Sequence, residues 1–213
     1  MYASVVGFFQ DGGVFMYPIM VVLAIGLAIS VERYIYLTGA KRANRKQLRQ
    51  LLPLLQNGEF KQAYTLAGQS HHTVNRMLSQ GLARFNSANN RDDIEAAMEE
   101  SMLEAIPHLE RRTHYLAMLA NIATLLGLLG TIIGLIKAFT AVAAVDPSLK
   151  AEILSTSISV AMNTTAFGLM VAIPLLLFFT VLQAKTTQVV DSLEMAILKF
   201  ANLMMQRKNI ADA

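Results

Sequence analysis

Polar and apolar residues in this chain separate into long blocks instead of alternating at the short period of a soluble domain. Three windows carry no charge at all: Gly12–Val31, Leu116–Ile136 and Ile153–Ala184, of 20, 21 and 32 residues. About 20 apolar helical residues cross the hydrocarbon core of a bilayer, so each window is long enough for one passage. The third is longer than one passage requires and must tilt or project. The pattern predicts an all-α membrane protein with three transmembrane helices.

Basic residues orient it. Residues 1–11 have none, the stretch from Ile35 to His114 has eleven, and the 143–152 connection has only Lys150. Cationic loops stay on the cytoplasmic side, which predicts a periplasmic N-terminus and a cytoplasmic C-terminus. Residues 1–11 then form an interfacial segment and 12–34 the first transmembrane helix. A cytoplasmic helical region covers 35–114, and the second transmembrane helix 115–142. A periplasmic loop over 143–152 leads to the third helix, 153–184, and to a cytoplasmic tail, 185–213. The first window lacks a basic leader and ends in Glu32-Arg33, so it reads as a retained helix.

The polar stretches keep a helical period. Leu48, Leu51, Leu52 and Leu55 share one face of Asn44–Gln56, and Asn57-Gly58 is a stop signal. Short helices are expected over Glu59–Ala67 and Val74–Phe85, then a polar connection over Ser87–Arg91. Asn90 or Asp92 can cap a longer helix whose first turns are acidic. Nothing but Pro107 interrupts that helix before the second window, so a kink is expected there. Val189, Leu193, Ile197, Phe200 and Leu203 continue the third helix past Ala184. Long cytoplasmic helical extensions of helices two and three follow from this spacing.

Composition narrows the chemistry. Mean hydropathy is +0.43. The net charge of +3 comes from cations gathered on one membrane face, and no nucleic-acid partner is needed to account for it. With no cysteine there is no disulfide or thiolate site. Glu104 and His108 are four apart, but neither His71, His72 nor His114 supplies a second pair, so no metal or cofactor is expected. No phosphate-binding or nucleophile-elbow motif occurs, and no residue is assigned a catalytic role.

The apolar windows are unusual for their hydroxyls. Ala120, Thr124, Gly127, Thr131, Gly134 and Ala138 form a small-residue stripe on helix two, and Gly130 and Gly134 make a GxxxG. Ser157, Ala161, Thr164 or Thr165, Gly168 and Ala172 give helix three a similar face, with Asn163 beside it and Pro174 ending or bending the pattern. Small faces let helices approach closely in lipid. The hydroxyls either bond back to carbonyls and hold helices together, or line a polar path. Lys137, near the outer end of helix two, reads as a snorkelling side chain, with a gating role as the rival. Glu32-Arg33 reads as an interfacial anchor or a pair with a neighbouring subunit.

These residues carry a resemblance. Gly127-Leu-Leu-Gly130-Thr131-Ile-Ile-Gly134 resembles the helix-two signature of the MotA/TolQ/ExbB proton-channel family. Thr164-Thr165-Ala166-Phe167-Gly168-Leu169, followed by Ala172-Ile173-Pro174, resembles its helix-three signature. Glu32-Arg33 and Asn57-Gly58-Glu59-Phe60 match in order and spacing. Three crossings are similar to ExbB and TolQ rather than to four-helix MotA. The resemblance implies a homopentamer around an ExbD- or TolR-like single-span protein that supplies a membrane aspartate. It implies work delivered to a TonB- or TolA-like transducer, with Thr131 and Thr165 facing the aspartate. Many relatives carry a Glu five residues before the helix-three Thr, where this chain has Val160. Either the partner's aspartate alone carries the proton, or the chain is a divergent branch with another ion or physiology. The rival expectation is a non-conducting membrane scaffold assembled through the small-residue faces.

Overall fold

A computed structural model describes residues 13–70, 72–85, 90–143 and 145–211, with the side chains of 208–211 left undescribed. The expected lead over residues 1–11 and most of the Ser87–Arg91 connection lie outside them. Every described element is helical: α1 Met16–Gln56, α2 Phe60–Gly68, α3 Thr73–Phe85, α4 Arg91–Glu110, α5 Thr113–Ala143 and α6 Lys150–Ala211. Three helical stretches are long and apolar enough to cross a membrane, carried by α1, by α4 with α5, and by α6.

The chain divides into two compact units, one from the residues up to Glu32 with Arg112–Val181, the other from Arg33–Arg111 with the residues from Leu182 on. In the first, Met16 and Ile19 of α1, Leu116, Ala120 and Ala123 of α5, and Val171 and Leu175 of α6 make the buried core. At most 33% of any apolar window is buried. The outward remainder is apolar as well (Leu125, Ile132 and Phe139 on α5; Met170, Ile173 and Leu177 on α6). Such a surface is stable only against lipid or other apolar helices.

The second unit packs Leu37, Leu51 and Leu55 of α1 with Met77 and Leu78 of α3, Ile94 and Met98 of α4, and Val189, Leu193 and Phe200 of α6. Of the periodic residues read from the sequence, Leu51, Leu55, Val189, Leu193, Ile197 and Phe200 are buried, while Leu48, Leu52 and Leu203 are half-buried at the edge. Two connections are tighter than expected. Asn44–Gln56 is not a separate helix but the last part of α1, which runs 41 residues without a break. It closes on Gly58 at φ +80, with Gly58 N–H bonding Leu55 O and Glu59 N–H bonding Leu54 O. That double bond is a Schellman closure, which needs a left-handed residue and so favours glycine. Asn90, rather than Asp92, precedes α4, and its N–H is accepted by the Asp93 carboxylate at 3.2 Å.

The path into helix two differs more. Pro107 lies inside α4 and does not break it; the break falls at Arg111–Arg112, where Arg112 adopts φ +65. Pro174 likewise sits inside α6, which is 62 residues long in all. A left-handed conformation costs a non-glycine residue about 1–2 kcal/mol. Arg112→Gly is therefore expected to be neutral or stabilising, even though it loses an exposed ion pair to Glu32 worth under about 1 kcal/mol. Arg112→Val is expected to destabilise by roughly 1–2 kcal/mol, because a β-branched residue fits that conformation worst. Thermal unfolding in detergent checks this; equal losses for glycine and valine would contradict it.

Candidate functional site: the α5–α6 crossing

The small residues of α5 and α6 are where the two helices touch. The buried seam of α5 runs through Ala120, Ala123, Gly127, Gly130 and Ala138. Thr124 and Thr131, which share the stripe in sequence, stand at its edge: Thr124 is exposed and Thr131 half-buried. On α6 the seam is Ala161, Thr164, Gly168 and Ala172, so Thr164 takes the inner place and Thr165 is half-buried beside it.

The crossing is nearly backbone on backbone. A Cβ placed on Gly168 would lie 2.7 Å from the Ala123 carbonyl oxygen and 3.1 Å from Gly127 Cα. One placed on Gly127 would lie 3.2 Å from Thr165 Cα, and one on Gly134 2.9 Å from Ala161 Cβ. A Cβ on Gly130 would meet the Thr164 side chain. Small residues recur at these four positions because nothing larger fits. The gain is dense van der Waals contact, the main attraction between helices where water is absent.

The hydroxyls use this closeness. Thr165 Oγ1 donates across the crossing to the Gly127 carbonyl at 2.9 Å. Thr131, Thr124 and Thr164 donate within their own helices, to Leu128 O at 2.6 Å, Ala120 O at 3.1 Å and Val160 O at 3.0 Å. Each donor is thus occupied, while the lone pairs of the Thr131 and Thr165 hydroxyls remain able to accept. Asn163 is half-buried on α6, and Lys137 is exposed near the end of α5. Val160 is half-buried and lies near the start of α1. Its Cγ1 lies 3.4 Å from where a Gly13 Cβ would be.

The Glu32-Arg33 pair is built into the chain in a way its sequence did not reveal. Glu32 meets Arg112 at 3.2 Å, with both side chains nearly half exposed. Arg33 is only 3% exposed. Its guanidinium donates to the carbonyls of Leu109 and His108, the latter at 3.2 Å, and lies 4.6 Å from the Tyr36 ring centre. These carbonyls belong to the last turn of α4, the negative end of its dipole, where a cation is favoured. Lys185 makes a parallel contact between α6 and α1, 3.0 Å from the Thr38 hydroxyl and 3.4 Å from the Tyr34 ring centre. Among the described residues no three His, Cys, Asp or Glu converge as metal ligands.

The profile of the MotA/TolQ/ExbB proton channel family matches residues 69–195, which spans α3 to most of α6 and includes the whole crossing. The chain belongs to this family. Its relatives are ExbB-like. A biopolymer transport protein ExbB homologue of Methanothermobacter thermautotrophicus is 29% identical over 196 residues, covering 91% of this chain and 68% of that one. An ExbB-like biopolymer transport protein of Synechocystis is 28% identical over 185 residues, 86% of this chain and 72% of the relative. The biopolymer transport protein exbB1 of Vibrio cholerae is 48% identical over a shorter 59-residue stretch, 28% of this chain and 26% of its own length. Family and fold together make this ExbB-like chain a membrane subunit of the proton-channel motor type.

Proposed function

We propose that this ExbB-like chain is the wall of a proton-driven motor in a bacterial inner membrane, with its N-terminus periplasmic and its C-terminus cytoplasmic. Copies of it, five by the family resemblance, surround an ExbD- or TolR-like single-span partner. The partner's membrane aspartate carries the proton, and its movement drives a TonB- or TolA-like transducer. No covalent chemistry is involved. The observation that carries this reading is the pairing of Thr131 and Thr165 at the edge of the crossing with the absence of any carboxylate in windows two and three.

The hydroxyls suit a carboxyl that cycles. While Thr165 donates to the Gly127 carbonyl it can accept a hydrogen bond from a neutral acid. When the acid ionises, the hydroxyl can turn and donate to it instead. Hydrogen bonds to charged groups are worth about 1.5–3 kcal/mol, so losing this switch slows the step by roughly 10- to 100-fold. Thr131→Val and Thr165→Val, combined in the complex with its partner in proteoliposomes, are expected to reduce proton-driven work by that factor with assembly intact. Wild-type work from the double variant would overturn the proposal.

The same Thr165–Gly127 bond favours a second reading, in which the crossing serves packing alone and the chain is a non-conducting scaffold. There Thr165→Val would loosen the assembly and Thr131→Val would be silent. Measuring oligomer mass and proton flux on the same variants separates the two.

A further inference from the structure

Window two holds three polar side chains, Asn121, Thr124 and Thr131, and the first has no part in the crossing. Asn121 is exposed on α5, outside the buried seam of Ala120, Ala123, Gly127 and Gly130. Steps of three and seven residues put the three within about 80° of one another around the helix, so they share an edge. Their depths differ. Thr131 lies five residues before Ile136 and Asn121 five after Leu116, so each is about 7.5 Å inside one end of the window. About 15 Å of helix separates them.

At its own depth, Asn121 is the polar group that the unit leaves open. Thr124 and Thr131 donate to carbonyls of their own helix, whereas Asn121 makes no hydrogen bond among the described residues. No neighbouring side chain offers one. The Ala123 carbonyl meets Gly168, which sets Asn121 level with the turn of α6 that follows Gly168. From Ala166 to Phe179 α6 has no polar side chain, and from Pro18 to Ile29 neither has α1. An unbonded amide against lipid is strongly disfavoured. The Asn side chain is also too short to reach the head groups across about 7.5 Å. Its partner is therefore water or another chain. The amide offers N–H donors and a carbonyl acceptor at once, which suits it to holding bridging water in place.

We infer that Asn121 positions the water through which the proton leaves, on the Arg112 side of the membrane. The inference rests on the proton-driven reading above and adds an exit to it. The neutral carboxyl of the proposed partner, near Thr131 and Thr165, gives its proton to the nearest water of a chain and is left ionised. Each water passes one proton on, and the last releases it past Asn121 to the cytoplasm. Asn121 itself neither gains nor loses a proton. It is a positioning residue.

Proton flux is measured in proteoliposomes holding the complex with its proposed partner. Asn121→Leu is expected to cut the flux roughly 10-fold with oligomer mass unchanged. Asn121→Ser, which still bonds water, should retain most of it. The chain has no cysteine, so Asn121→Cys reports access by itself. A charged methanethiosulfonate added on the Arg112 side is expected to modify that cysteine and to block the flux. If Asn121→Leu does not assemble, the serine and cysteine variants decide. Parental flux in Asn121→Leu overturns the inference. So does a cysteine that the reagent leaves untouched, or reaches only from the opposite side; the amide is then a contact with lipid or protein. Either result leaves the proton-driven reading standing as long as the parent complex conducts. A parent complex that conducts no protons overturns both.

Discussion

Alanine at Gly168 is expected to open the α5–α6 crossing and cost about 1–3 kcal/mol, the usual range for overpacking a tight interior. The reason is the neighbour. The new Cβ would stand 2.7 Å from the Ala123 carbonyl oxygen, a backbone atom that moves only if the helix moves. Alanine at Gly26 meets Leu175 Cδ2 at an even shorter 2.5 Å, yet there a side chain, and not a helix backbone, has to give way. Gly168→Ala should therefore lower the unfolding temperature in detergent clearly more than Gly26→Ala. It should also separate Thr165 from Gly127, because the hydroxyl bond depends on the same approach. Gly168→Val is expected to abolish assembly with the proposed partner. A Gly168→Ala protein as stable as the parent would show that the crossing is looser than described.

Loss of the guanidinium at Arg33 is the second large effect. Arg33→Met keeps most of the length and apolar stem while removing the donors to His108 and Leu109. Burying a charge is costly, so its removal relieves a desolvation penalty. Here the opposing loss is greater: two charge-assisted bonds, each worth about 1.5–3 kcal/mol, and the interaction with the α4 dipole, up to about 2 kcal/mol. A net destabilisation of about 2–3 kcal/mol is expected. Arg33→Lys should recover only part of it, since one ammonium does not reproduce a planar fork aimed at two carbonyls. The direct measurement is amide hydrogen exchange over residues 106–114. Exchange there should quicken markedly in Arg33→Met, while the α5–α6 crossing keeps its protection. Unchanged exchange would assign the stabilisation to the Tyr36 stack instead.

Much of this was legible in the sequence, and the misses have physical causes. Uncharged windows report the solvent around a helix, so the spans followed from length alone. The Leu48, Leu51 and Leu55 period and the Asn57-Gly58 stop mark one buried face and its left-handed closure. They do not say that this face continues the first membrane helix, because a run of cations breaks the apolar pattern without breaking the hydrogen-bond ladder. Pro107 was the visible helix breaker, yet the helix ends at Arg111–Arg112, where Leu109 meets Arg33 and Arg112 meets Glu32, 76 and 80 residues away. No local signal could reveal that.

The candidate site divides along the same line. Gly127, Gly130, Gly134 and Gly168 at helical spacing announced a close crossing, because in lipid few other reasons exist for such a row. The placement of each hydroxyl relative to that crossing came only with the third dimension. Thr124 and Thr165 look alike in sequence, but one bonds within its own helix and the other reaches across. Arg33 could as well have been a surface anchor; burial against the end of α4 is a tertiary fact. By itself the sequence determined the number of spans, the helical faces and the family, since these depend on local pattern and on the order of motifs. Only the tertiary structure decided which small residues touch, which hydroxyl bridges two helices, and where the path into the second span turns. Those depend on contacts between segments far apart in the chain, which no local period encodes.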